Sequence, residues 1–301
     1  MRGPGVTALA IDLLAGEPPA SLHPTIAMGN WIARGRSRRR SLGPSASFAE
    51  GAAVVAGGAV LVALTADVAD RLTAALPGSL RSVARAAALK PAFSVRALLD
   101  AAAQVERALV RGHLTRARAL LSWHLVSRDT STLDASAVAA ATIESVAENF
   151  NDGFVAPLMA FRVGGLAGAY LFRFVNTADA MLGYRTPELE WFGKTAARLD
   201  DALAYVPARC AATLIALASL ITGDSFRDAA RVMLNDADAT ASPNAGWPMA
   251  AMAGALGVRL EKHGHYRLNA PARSPRARDI RRARRIVLVG SVLAALATEV
   301  A

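Results

Sequence analysis

Apolar residues in this chain fall in long runs, and polar ones gather in short segments between them. A helix needs about 20 predominantly apolar residues to cross the hydrocarbon core of a bilayer. Residues 51–69 form one such run, with Glu50 and Asp67 near its ends. Residues 154–175 (FVAPLMAFRVGGLAGAYLFRFV) and 202–222 (ALAYVPARCAATLIALASLIT) form two more, and residues 286–300 (IVLVGSVLAALATEV) a shorter one. The second and third are impure: Arg162, Arg173 and Arg209 lie inside them, and Pro157 and Pro207 interrupt them. An arginine at the centre of a span costs about 2.5–3.5 kcal/mol on insertion scales, so such residues snorkel, pair or line a wet cavity. Helices that carry them are expected to be broken or re-entrant.

Between these runs, residues 94–122 read as an amphipathic helix capped by Ser94. Residues 134–149 read as another, with Asp134 as N-cap. No strand-like alternation persists and no repeat of fixed period is present. The pattern predicts an all-α, multi-pass integral membrane helical bundle with amphipathic or re-entrant helices. The competing reading is a large all-α soluble core, but so many small apolar residues need lipid or other helices as neighbours.

Composition supports the membrane reading. Hydrophobic residues make up 53% and charged residues 19%, against about 25% charged in soluble domains. Mean hydropathy is +0.29. The net charge of +10 is compatible with nucleic acid, anionic lipid headgroups or an anionic substrate. Aromatics are only 6% and no basic stripe is interleaved with them, so nucleic acid is not expected as a partner. Arginines cluster at Arg34–Arg40, across residues 71–128 and across residues 273–285. The positive-inside rule would place all three in the cytoplasm, but the first two flank residues 51–69, so the topology stays open. Cys210 is the only cysteine, which rules out an intrachain disulfide and reads as a small buried thiol. One cysteine and five scattered histidines also argue against structural zinc. The run Val6–Ala15 is short, is broken by Asp12 and leads into Glu-Pro-Pro, so it does not read as a signal peptide.

The polar residues suited to chemistry lie in segments beside apolar runs. IDLLAGEPPASLHP holds Asp12, Glu17 and His23. SRDTSTLD, with Arg128 and Asp129, precedes IESVAENFNDG. There Glu144 and Glu148 share a helix face, and Asp152 continues the stripe if the helix runs on. Three carboxylates in line repel one another, so a divalent cation or a cationic partner is expected to offset them. Oxygen ligands alone favour Mg²⁺. The alternative is a solvated acidic face. VNTADAMLGYR and FGKTAARLDDALAYVPAR supply Asn176, Asp179, Arg185, Lys194, Arg198, Asp200 and Asp201. Arg198 and Asp201 are spaced to pair, and Arg185, Lys194 and Arg198 suit phosphate oxygens. The alternative is a local salt-bridge network of little energetic weight. SPNAGWP, with Ser242 and Asn244, reads as a rigid turn entering an apolar helix whose backbone N–H groups could hold an anion. The P-loop, Rossmann, G-x-S-x-G and H-E-x-x-H templates are all absent, so any ATP site is of another kind.

Six stretches in order, IDLLAGEP…HP, LSWHLVSRDTSTLD, ESVAENFNDGFVAPL, VNTADAMLGYR, FGKTAARLDDALAYVPAR and SPNAGWPMAAMAGALGVRL, cover about half the chain and resemble the CobD/CbiB family, the adenosylcobinamide-phosphate synthases of cobalamin biosynthesis. Three features depart from the family pattern. Ser127 stands in place of Gly and Met249 in place of Glu, and EKHGHYRLN replaces a Gly-rich stretch. The resemblance implies one membrane domain over residues 1–301, in the cell membrane. It implies an ATP- and Mg²⁺-dependent ligase that joins (R)-1-amino-2-propanol, or its O-phosphate, to adenosylcobyric acid. On this reading Glu144, Glu148 and Asp152 hold the metal, and Lys194, Arg198, Asp200 and Asp201 are catalytic. Asp12, His23, Arg128, Asp129, Asn149, Asn176, Asp179, Arg185, Ser242 and Asn244 contact substrate or ATP. Membrane lipid, the corrinoid and the amine are the expected partners, with assembly into a homo-oligomer. The alternative class is a membrane corrinoid carrier or transporter without ligase activity, since intramembrane charge also marks substrate paths. A structural scaffold would leave the gathering of Asp, Asn and Arg unexplained.

Overall fold

The computed structural model describes residues 4–40 and 43–300. In chain order its helices begin with α1 (Pro4–Ala15), α2 (Pro24–Ser37), α3 (Pro44–Ala74), α4 (Gly78–Leu89), α5 (Val95–Val110) and α6 (Leu114–His124). They continue with α7 (Ala135–Phe150), α8 (Ala156–Leu182), α9 (Lys194–Thr222), α10 (Phe226–Asp236), α11 (Gly246–Leu256) and α12 (Ala277–Val300). A short antiparallel hairpin, β1 (Leu260–Lys262) and β2 (Tyr266–Leu268), is a feature the alternation pattern did not predict. Its strands are too short for period-two alternation to register. Gly264, at φ +74°, supplies the turn, in the left-handed conformation that a three-residue hairpin loop favours.

Local sequence sets the helix ends. The Asp134 carboxylate accepts from Ala137 N at 2.7 Å and starts α7 as expected. The span 94–122 is two helices, because Gly112 at φ +74° stops α5 before α6 begins. After α7 the backbone widens into a π-helical turn over Asn151–Val155. The turn contains Asp152, the residue expected to continue the Glu144–Glu148 stripe. Then α8 breaks at Gly164 and Gly165, the latter at φ +59° and ψ −150°. The expected break is therefore real, but it lies at the Gly-Gly pair and not at Pro157.

Among the described residues, three helical stretches are long and apolar enough to cross a membrane: α3, the continuous stretch Ala135–Leu182, and α9. Residues 286–300 were expected to make a fourth. They form the apolar end of α12, whose first turns carry Arg278, Arg281, Arg282, Arg284 and Arg285, and α12 does not meet that measure.

The chain divides into two compact units. The first comprises described residues of 1–94, 156–204 and 298–301, and the second residues 95–155 and 205–297. In the first unit α3 packs on α8 through small residues, as membrane helices do. A Cβ on Gly51 would lie 1.9 Å from the Phe192 carbonyl oxygen, and one on Gly58 would lie 2.1 Å from the Phe174 ring. Met28, Ile32, Val55, Phe174, Leu182 and Phe192 form the core there. The outer face of α3 exposes Val60, Leu64, Val68 and Leu72 at four-residue spacing. Only 17% of its apolar window is buried, so this face is the one a bilayer would cover.

In the second unit α11 packs against α10 and α7. It is apolar all round and correspondingly buried from Pro248 to Leu256. At Gly254 a Cβ would meet the Asp228 carbonyl oxygen at 2.3 Å. Arginines fasten α12. Glu106, only 3% exposed, accepts from Arg281 at 2.7 Å and Arg284 at 3.0 Å. Asp279 binds Arg273 at 2.7 Å and Arg282 at 3.1 Å, and Arg282 also reaches Asp224 at 2.5 Å. Much of the third basic cluster is thus consumed in internal ion pairs.

Candidate functional site

In the first unit, charged residues gather where α8 ends and α9 begins. Asn176 Nδ2 donates to Asp200 Oδ1 at 3.2 Å. Asp179 lies near enough to Asp201 to feel its charge, and Asp201 is likewise coupled to Arg185. Gly183 makes room for this arrangement, since a Cβ there would sit 2.0 Å from Asp179 Oδ1. Asp201 interacts with Arg185, and no Arg198–Asp201 ion pair forms among the described residues. Arg198 is exposed. Lys194 turns to local partners, Glu190 Oε1 at 3.1 Å and the Trp191 ring at 4.0 Å. Lys194, Arg198 and Asp201 nonetheless share one side of the first turns of α9 by their spacing. Asn176, Asp179, Arg185, Asp200 and Asp201 therefore come together as three carboxylates with an arginine and an amide, inside or next to candidate spans.

Also in the first unit, buried Asp12 and Lys90 form an ion pair at 3.2 Å, and Lys90 reaches Glu17 at 2.8 Å. The Glu17 carboxylate then meets His23 Nε2 at 3.0 Å. His23 Nδ1 accepts from Thr25 N at 3.3 Å, so the ring caps α2. Its role in the structure is that of a cap. Beside this cluster is an apolar cavity of about 430 Å³ lined by residues such as Met28, Trp31, Leu61, Tyr170 and Phe174.

In the second unit, Glu144 is 4% exposed and its Oε2 stands 3.7 Å from Arg128. Tyr266, on β2, stands within reach of Glu144 and senses Glu148. Burial first, then the charges of Glu144 and Glu148, hold its phenol protonated, well above the ordinary range. Lys262, on β1, also bears on Glu144. Glu144 Oε1 is buried without a hydrogen-bond partner among the described residues. Asp152 accepts from Asn151 Nδ2 at 2.7 Å. Asp129 is exposed and makes a turn, accepting from Ser131 N and Ser131 Oγ, both at 2.9 Å. Those bonds hold its carboxyl below the usual range. Asn149 folds back on Ser145 O at 2.9 Å.

These donors do not fit a metal cage built by the protein. No group of three or more His, Cys, Asp or Glu side chains is arranged to hold a metal among the described residues. Arg128 and Lys262 already offset the charge of Glu144, and Asp152 accepts from the Asn151 amide.

Elsewhere in the second unit, Ser242 Oγ accepts from Asn244 N at 3.2 Å and Ala245 N at 3.3 Å. The N–H groups expected to be open to an anion are therefore occupied within the turn. Asn244 Oδ1 instead receives Arg209 Nη1 at 3.4 Å. The Arg209 guanidinium lies between the Tyr205 and Trp247 rings, 3.4 Å and 4.5 Å from their centroids. Sequence reading missed Tyr266, because a three-residue strand carries no periodic signal. It saw Arg209 only as an impurity in a span; the basic residue inside an apolar helix was the available clue.

An all-α membrane protein with acidic pairs and a stacked arginine within its apolar helices has the features of a protein that handles a polar, charged substrate at the bilayer. The family model described as CobD/Cbib protein matches residues 5–287. The cobalamin biosynthesis protein CobD of Dehalococcoides mccartyi (strain CBDB1) is 40% identical over 261 residues, 87% of this chain and 84% of that protein. Proteins named "Probable cobalamin biosynthesis protein CobD" are 39% identical in Methanothermobacter thermautotrophicus, over 88% of this chain and 85% of that protein. The protein of that name in Thermococcus kodakarensis is also 39% identical, over 94% of this chain and 90% of its own length. No solved structure matches the chain. The chain belongs to the CobD/CbiB family of cobalamin biosynthesis.

Proposed function

We propose that the protein is a multi-pass enzyme of the cell membrane that forms an amide between adenosylcobyric acid and (R)-1-amino-2-propanol or its O-phosphate, at the expense of ATP. The observation that carries this reading is the Asp179–Asp201–Arg185 cluster, in which like charges are held close beside a cation at the edge of apolar helices. A fixed array of this kind suits a reaction that moves a proton while negative charge develops on oxygen.

A carboxylate is a poor electrophile, so activation must come first. A corrinoid propionate oxygen attacks the γ-phosphorus of ATP, giving an acyl phosphate and ADP. The amine nitrogen then attacks the acyl carbon, the C–O bond to phosphate breaks, and inorganic phosphate leaves. The ammonium proton passes to Asp201 or Asp200. Arg185, Lys194 and Arg198 stabilise charge on the phosphoryl oxygens. Mg²⁺ enters with the nucleotide phosphates, and no protein ligand set is assigned to it.

The test is mass analysis of products from purified protein with ATP, Mg²⁺, adenosylcobyric acid and each amine in turn. Amide product, with ATP consumed only when acid and amine are both present, is expected. Corrinoid binding with neither turnover nor ATP consumption would replace the ligase with a carrier.

A further inference from the structure

The arginine inside α9 is a binding group in its own right. Several arginines of the second unit are neutralised by carboxylates, as Arg281 and Arg284 are by Glu106 and Arg273 and Arg282 are by Asp279. Arg209 differs. It lies within a candidate span and forms no ion pair with Asp or Glu among the described residues. Its neighbours are two aromatic faces, the Tyr205 carbonyl oxygen at 2.6 Å and the Asn244 amide oxygen at a long 3.4 Å. Both hydrogen bonds use Nη1. Nε and Nη2 have no partner among the described residues, and neither atom is sealed from solvent.

Stacking fixes the guanidinium plane while leaving its edge available, and that edge matches the two oxygens of a carboxylate or phosphate. Asn244 fixes the rotation of the plane from one side. A purely structural clamp would not need a full positive charge in an apolar helix, where a neutral side chain packs between two rings at lower desolvation cost.

We infer that Arg209 is an oxyanion receptor that binds a substrate carboxylate or phosphate edge-on. Naming the oxyanion as a substrate group rests on the ligase reading; the existence of the receptor does not. Two sources share this chemistry, the corrinoid propionate and the phosphate of the O-phosphorylated amine.

The experiment uses the full chain in detergent and measures binding of inorganic phosphate, aminopropanol phosphate and adenosylcobyric acid by calorimetry. Arg209→Gln is expected to weaken at least one of them about 10- to 100-fold, with Arg209→Lys intermediate because it keeps charge but loses the fork. Loss confined to the two phosphate ligands identifies the amine phosphate, and loss confined to adenosylcobyric acid identifies the propionate. Should Arg209→Gln fail to fold, Asn244→Asp serves instead. It places a carboxylate beside the guanidinium, which should occupy the edge and lower the same affinity. Unchanged affinities for all three ligands in folded Arg209→Gln or Asn244→Asp protein would overturn the receptor. Arg209-dependent binding by a protein that forms no amide would uphold the receptor and reject the ligase, and the converse result would do the opposite.

Discussion

Lys90 is the residue whose loss should damage the fold most per atom removed. Lys90 is 3% exposed, and its ammonium lies 3.2 Å from Asp12, which is fully buried, and 2.8 Å from Glu17. Lys90→Met keeps the apolar stem but strips a buried carboxylate of its cation, which costs about 3–5 kcal/mol. Glu17 is 29% exposed and can regain water, so Glu17→Gln should cost about 1 kcal/mol or less. Replacing both buried partners, Lys90→Met with Asp12→Leu, removes the desolvation penalty together with the attraction. The double variant should therefore be more stable than Lys90→Met alone, with a coupling energy above about 2 kcal/mol. Denaturant unfolding in detergent, followed by circular dichroism, supplies the cycle. Additive single effects would show that the pair is not coupled, and the reasoning from burial would fail.

Three further outcomes follow from the geometry. Gly183→Ala drives a Cβ to 2.0 Å from Asp179 Oδ1, so the carboxylate must turn away and kcat/KM in the amide assay should fall on the order of 100-fold; wild-type kinetics would remove Asp179 from the site. Tyr266→Phe deletes the hydroxyl beside Glu144 and should cost about 1–3 kcal/mol at neutral pH in the unfolding assay. Since the folded phenol is raised above its unfolded value, its contribution is complete below about pH 10 and is lost as pH rises through the folded value; a variant with wild-type stability and wild-type alkaline behaviour would refute this. For Asp279, burial pushes the carboxyl up, but hydrogen bonds from Arg273, Arg276 N–H and Arg282 hold it below the usual range overall. Its contribution is therefore complete above about pH 4 and is lost as pH falls through the lower folded value; Asp279→Asn should be less stable at neutral pH and lose less on acidification than wild type, and parallel pH profiles would contradict the ion-pair account.

What the sequence made legible was local. Asp134 could be read as a cap because capping acts over three residues, and Glu144 and Glu148 could be placed on one face because helical periodicity is local too. The three stretches apolar enough to cross a membrane were visible for the same reason. The sequence did not reveal contacts that only the tertiary fold creates. Lys90 is far along the chain from Asp12, and Glu106 is far from Arg281 and Arg284, so the basic segment at residues 273–285 looked like a topological signal when much of it is internal pairing. The π-helical turn at Asn151–Val155 has no sequence signature. Segments that departed from the family pattern turned out to meet each other, for the Tyr266 hydroxyl donates to Met249 Sδ at 3.8 Å.

Charge compensation differs among the ionic groups in these apolar helices. Asp70 and Arg85 are a compensated pair: Arg85 Nε and Nη2 donate to the two carboxylate oxygens at 2.7 Å and 2.9 Å, with the Phe161 ring 5.0 Å from the guanidinium. The break in α8 makes room for this pair. Gly165 holds a backbone conformation essentially restricted to glycine, and a Cβ there would fall 2.6 Å from Asp70 Oδ2. Gly165→Ala thus incurs backbone strain of about 1–3 kcal/mol and a separate steric displacement of Asp70. The two can be told apart, because Asp70→Ala removes the obstruction but not the strain. If both act, Gly165→Ala should destabilise the Asp70→Ala background by less than it destabilises wild type, yet still by about 1–3 kcal/mol. An equal penalty in both backgrounds would assign the whole effect to backbone conformation, and none in the Asp70→Ala background would assign it to the ion pair. Activity of Asp70→Ala, measured per folded molecule, should stay near wild type. Asp70 already has its cation, and a compensated pair has little left to offer a substrate, whereas the stacked Arg209 does.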